Sequence, residues 1–118
     1  MKESELSRAV TDYLEYGMNQ GKWWFTRLNS GMAFKKYKDK YYAIKLCPAG
    51  TADFLIIRWW YPIGAPNKGK TIVSFLELKS TKGKTTKEQD DFAEQVRNQG
   101  AGFYEVRSLE EIEVILSK

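Results

Sequence analysis

The period of the hydrophobic positions changes several times along the chain, and each change marks an element. Leu6, Val10, Tyr13 and Leu14 recur at helical spacing, which predicts an amphipathic helix over residues 3–17 with Gly17 as its stop. Trp23-Trp24-Phe25-Thr26-Arg27-Leu28 is dense in strand formers, and Asn29-Ser30-Gly31 ends it as a turn. Residues 35–45 interleave lysine with tyrosine and read either as a solvated edge hairpin or as a flap facing a polyanion. Two apolar runs follow, Phe54-Leu55-Ile56-Ile57 and Ile72-Val73-Ser74-Phe75-Leu76-Glu77-Leu78-Lys79. The loop between them carries Pro62, Gly64, Pro66, Asn67 and Gly69, so the runs are expected to pair as an antiparallel hairpin. Thr86-Lys87-Glu88-Gln89 fits a capping box and opens a helix with Phe92, Ala93 and Val96 on its apolar face, stopped by Gly100. Phe103–Arg107 reads as a last strand. Ser108 caps a closing helix that carries Leu109, Ile112, Ile115 and Leu116. Strand, helix, strand implies a crossover and a parallel pair. The expectation is an α/β fold, with a mixed central β-sheet flanked by helices and residues 1–118 forming one domain.

The second apolar run departs from a plain core strand at its C-terminal end. Side chains alternate faces, so Glu77 and Lys79 point the same way and Leu78 points the other. Taken alone, that is an ion pair at a sheet edge. Antiparallel pairing changes the picture, because it brings Asp53, just before the first run, beside Glu77 and Lys79. Two carboxylates and a lysine at one sheet end suit a hard divalent cation.

Composition narrows the chemistry. The chain has 118 residues, 42% hydrophobic and 14% aromatic, enough for a real core. No apolar run reaches membrane-spanning length and the start has no apolar signal core, so no membrane association is expected. One cysteine, Cys47, excludes an internal disulfide and a cysteine-rich zinc site, which fits a reducing compartment. Histidine is absent, which excludes Ser-His-Asp hydrolases, histidine-bound zinc and histidine-dependent nucleases. Hydrolysis would have to use carboxylates, lysine and a hard metal. The net charge of +4 suits a polyanionic partner, with lysines crowded at 35–45 and again at 79–87.

Asp53 and Glu77-Leu78-Lys79 resemble the motif of the PD-(D/E)XK nuclease superfamily. The finer likeness is to the small stand-alone VRR-NUC branch. It is carried in order by Glu3-Ser4-Glu5-Leu6, Asn29-Ser30-Gly31, Gly50-Thr51-Ala52-Asp53, Glu77-Leu78-Lys79-Ser80 and Thr86-Lys87-Glu88-Gln89. Ala52 stands where that family usually has proline. The resemblance implies a restriction-endonuclease-like core and a metal-dependent DNA endonuclease. Mg²⁺ or Mn²⁺ would be held by Asp53, Glu77 and the Leu78 backbone carbonyl, with Lys79 and Gln89 completing the catalytic set. An N-terminal helix glutamate joins the site in that family. Glu3 fits the place better than Glu5, although as a first-turn acid it also simply complements the helix dipole. Gln89 likewise has two readings, closing the capping box or pointing back to the site, and one amide is not expected to serve both fully.

For DNA contact the expected residues are Ser30, Lys35, Lys36 and Lys38, with Lys82 and Lys84 after the motif. Stand-alone members of that branch are associated with phage and bacteria and with branched DNA. The resemblance therefore implies four-way (Holliday) junction cleavage, a homodimer or higher homo-oligomer, and the cytoplasm of a bacterial or phage-infected host cell. Arg58-Trp59-Trp60-Tyr61 is the candidate contact between protein chains. Two other readings stay open: a noncatalytic nucleic-acid-binding module, and a protein-interaction domain in which the acids are structural.

Overall fold

A computed structural model describes residues 2–118. Three helices surround a four-stranded sheet, and a separate two-stranded ribbon stands apart from it. In chain order the elements are α1 (Glu3–Asn19), β1 (Trp24–Arg27), β2 (Met32–Tyr37), β3 (Lys40–Lys45), β4 (Phe54–Trp60), β5 (Lys70–Leu78), α2 (Lys87–Asn98), β6 (Gly102–Val106) and α3 (Leu109–Leu116). The sheet order is β1-β4-β5-β6. β4 is antiparallel to β1 and β5, while β6 is parallel to β5, so the sheet is mixed. The crossover through α2 sets that parallel pair.

α1 and α3 cover one face of the sheet. Leu6, Val10 and Leu14 from α1 and Ile112 and Leu116 from α3 pack with Phe25, Phe54, Ile56, Leu76, Leu78 and Val106. Each fully buried aliphatic or phenyl side chain contributes about 1.5–3 kcal/mol. α2 covers part of the other face, where Ala93, Phe92 and Val96 meet Phe75 and Phe103. The alternation along β5 is thereby explained: Leu76 and Leu78 face α1 and α3, while Phe75 and Glu77 face α2.

Three sequence expectations need adjustment. α1 does not stop at Gly17 but continues to Asn19. Gly17 is buried there because the Trp23 ring lies where a Cβ would stand, so its role is close packing rather than termination. Trp23 and Leu28 fall outside β1; Trp23 turns inward instead, and its indole N–H donates to Leu14 O at 2.9 Å. The lysine-tyrosine hairpin is not an edge of the central sheet. Among the described residues, β2 and β3 pair only with each other.

Candidate active site

The C-terminal end of β5 is where the chemistry-bearing side chains gather. Asp53 lies one residue before β4, and its N–H donates to Leu76 O at 2.9 Å. Its side chain then continues the ladder in place of backbone: Oδ2 accepts from Leu78 N at 2.7 Å. Asp53 is therefore fixed twice to β5, by main chain and by carboxylate. Gly50, three residues upstream, has φ +90° and lies against the backbone carbonyl of Glu88. Only glycine suits that conformation and that contact, which seats the loop on the first turn of α2.

Glu77 is 4% exposed and lies under α2. Oε1 accepts from Gln89 Nε2 at 2.7 Å and lies 3.6 Å from Lys79 Nζ. Oε2 is buried with no hydrogen-bond partner among the described residues. Burial, then the nearby Asp53 carboxylate, push the Glu77 carboxyl up to about 7; Lys79 opposes the rise and Glu3 adds to it. Burial also raises Asp53, against the Leu78 N–H and the cations Arg27 and Lys79, which favour its charged form.

Gln89 serves both of its expected roles. Oε1 accepts from Thr86 N at 3.0 Å and from Lys79 Nζ at 2.8 Å, and Nε2 donates to Glu77. Thr86 Oγ1 accepts from Gln89 N at 3.2 Å and completes the capping box. The expectation that one amide cannot do both is thus overturned. A carbonyl oxygen has two acceptor sites and the amide nitrogen donates separately, so the cap leaves capacity for the carboxylate and the lysine.

The remaining expected residues sit at different places. Glu3 joins Asp53, Leu78, Ser4, Ser7 and Arg27 in lining a cleft of about 360 Å³, which Glu77 does not line. Glu5 faces another surface, with Lys2, Ser80, Thr81 and Lys82. Among the described residues, no three of Asp, Glu, Cys and His converge closely enough to hold an ion by themselves. The carboxylate pair of Asp53 and Glu77 is the feature that remains. Lys82 and Lys84 are exposed in the loop after β5, which Arg107 pins by donating to Gly83 O at 2.6 Å. Ser30 is exposed at the root of the ribbon, bridged to Cys47, and Lys35, Lys36 and Lys38 are exposed farther along it.

Arg27 is a site residue that sequence reasoning passed over. It ends β1 opposite Phe54, donates to Ser7 Oγ at 2.7 Å, and lines the cleft beside Asp53. Its only sequence signal is its place at the end of a strand that pairs with the start of β4.

Compared with protein-family models and with curated proteins, the chain shows no significant match to either.

Proposed function

We propose that this protein is a metal-dependent deoxyribonuclease of the VRR-NUC type, built on a PD-(D/E)XK core. The observation that carries the proposal is Glu77. A carboxylate is buried beside a second carboxylate, tied to a glutamine and a lysine, with one oxygen left without a partner. A buried unpaired acceptor costs about 1–3 kcal/mol, and a structural ion pair has no use for it. A small hard cation does. Asp53 and Glu77 offer oxygen ligands only, and Mg²⁺ commonly takes one or two carboxylates and retains waters. The Leu78 carbonyl is the third ligand in this reading, with Glu3 in reserve across the cleft. Bound Mg²⁺ or Mn²⁺ supplies Lewis acidity toward water and the scissile phosphate.

The chain's own groups do the rest. Gln89 holds the Lys79 ammonium at the carboxylate edge, where it stabilises negative charge gathering on the phosphate. Arg27, on the open rim, anchors a neighbouring phosphate. The noncatalytic alternatives leave the convergence of Asp53, Glu77 and Lys79 unexplained, because acids at a phosphate-binding face repel unless a cation offsets them.

The test uses purified protein with duplex, flap and four-way-junction DNA in Mg²⁺ or Mn²⁺. Cleavage is expected in metal and lost in Asp53→Asn and Lys79→Ala, both still folded by circular dichroism. Wild-type cleavage by either variant, or cleavage that persists in excess EDTA, refutes the assignment. A junction-cleaving homodimer is the biological form proposed. It is supported by a sheet face beyond α2 where Trp24 and Trp59 remain 52% and 55% exposed. Trp59→Ser should lower the mass in solution; unchanged mass removes that face from the dimer.

A further inference from the structure

The β2–β3 ribbon holds an unusual share of the molecule's charge. It carries Lys35, Lys36, Lys38, Lys40 and Lys45 against one acid, Asp39. The whole chain has 19 basic and 15 acidic residues, so the remainder holds fourteen of each. The entire net charge of +4 therefore resides in this ribbon.

The ribbon is also unpartnered. Among the described residues, neither strand packs on any other helix or strand. Phe34 and Tyr41 are 70% and 71% exposed at its surface. An isolated two-stranded hairpin is marginally stable in water and gains from a partner. Its root lies beside the candidate site: Leu28 N, just before the ribbon, donates to Asp53 O at 2.8 Å.

The distribution of lysines selects the partner. From the pairs Lys36↔Tyr41 and Met32↔Lys45, one face presents Lys36, Lys45 and Tyr41. From Lys35↔Tyr42 and Tyr37↔Lys40, the other presents Lys35, Lys40 and two tyrosines. Lys38 is at the tip, where it and Asp39 have positive φ, and its ammonium lies over the Tyr37 ring. A flat protein surface would meet one face and strip water from two lysines without acids to receive them. A groove walled by two phosphate backbones offers charge to both faces and the tip together. The major groove of duplex DNA, about 12 Å wide, admits a two-stranded ribbon. Six residues per strand give an arm of roughly 20 Å.

We propose that the β2–β3 ribbon is a groove-inserting arm that binds the double-stranded part of the substrate in its major groove and so positions the backbone at the Asp53 end of the sheet. This rests on the nuclease reading for its purpose but is tested by binding alone. The assay is fluorescence anisotropy of a labelled 20-base-pair duplex and its single strand, in EDTA, over a range of salt. The variants are K35Q/K36Q/K38Q/K40Q/K45Q, the same five positions changed to arginine, and a chain in which Gly-Asn-Gly joins Gly31 to Leu46. That junction is short because Leu46 N donates to Gly31 O at 3.0 Å.

The glutamine variant and the ribbonless chain should bind duplex at least 100-fold more weakly, with the salt slope reduced by about 3–4. The arginine variant should bind as wild type. Duplex affinity and salt slope unchanged in the first two variants overturn the proposal. So does a single strand that binds as tightly as duplex and loses as much, and so does a fall in solution mass with DNA affinity intact, which would make the ribbon a self-association arm. Ribbon-dependent duplex binding by a wild-type protein that never cleaves DNA would sink the nuclease reading and leave this one standing.

Discussion

Burying Glu77 beside Asp53 makes stability depend on pH in a direction opposite to that of most carboxylates. The folded chain keeps a proton on Glu77 up to about pH 7, whereas the unfolded chain releases it near pH 4.5. Between those values the folded state binds more protons, so its stability falls as pH rises. Glu77's contribution is fully present below pH 4.5 and lost once pH passes about 7. The difference corresponds to about 3 kcal/mol, most of it between pH 5 and 8. For a domain of this size that is a fall in Tm of roughly 10–15 °C. The perturbation is Glu77→Gln, which keeps the shape and removes the titration. Urea unfolding of both proteins in EDTA at pH 5, 6, 7 and 8 measures it. The wild type should lose about 2–3 kcal/mol relative to the variant over that range, and Mn²⁺ at pH 8 should restore the wild type alone. A wild-type-to-variant gap constant within about 0.5 kcal/mol from pH 5 to 8 would refute the electrostatic account of the site.

The other site residues separate positioning from folding. Gln89→Ala removes bonds to Thr86, Lys79 and Glu77. It should cost about 2 kcal/mol and lower cleavage at least tenfold, while Thr86→Ala costs about 1 kcal/mol and leaves cleavage nearly intact; urea titration and a gel assay check both. Gly50→Ala meets the Glu88 carbonyl at a positive φ and should destabilise by about 2–4 kcal/mol, seen as a lower Tm. Arg27→Ala changes stability by less than about 1 kcal/mol, since the side chain is exposed, but should raise KM for DNA severalfold, with partial recovery in Arg27→Lys.

Most of the architecture was legible because periodicity and caps agree along this chain. The apolar residues of α1 repeat at helical spacing, Ser108 caps α3 through Glu111 N, and the two central apolar runs pair as expected. What escaped depended on partners distant in sequence. Gly17 looked like a stop because nothing local announces the Trp23 ring that needs its missing Cβ. The separateness of β2–β3 is invisible in a hairpin signal, since lysine and tyrosine alternate alike on an edge and on a free arm. Arg27 was passed over because exposed strand-end arginines are common. Its meaning comes only from the register that sets it beside the start of β4.

Gln89 explains why these acids tolerate such a place. Its backbone N–H and side-chain oxygen close the first turn of α2, so its rotamer is fixed by helix formation itself. The same fixed amide then aims one donor at Glu77 and one acceptor at Lys79. Asp53 is immobilised by another piece of secondary structure, the unfinished ladder of β5 that ends on its carboxylate. Neither carboxylate relies on a flexible loop for its position, and Glu77 Oε2 has no hydrogen-bond partner among the described residues. Rigid placement with incomplete satisfaction is costly for a merely structural pair, which would relax toward mutual pairing or solvent. It is the arrangement expected where the missing partner is a ligand that the fold is built to receive.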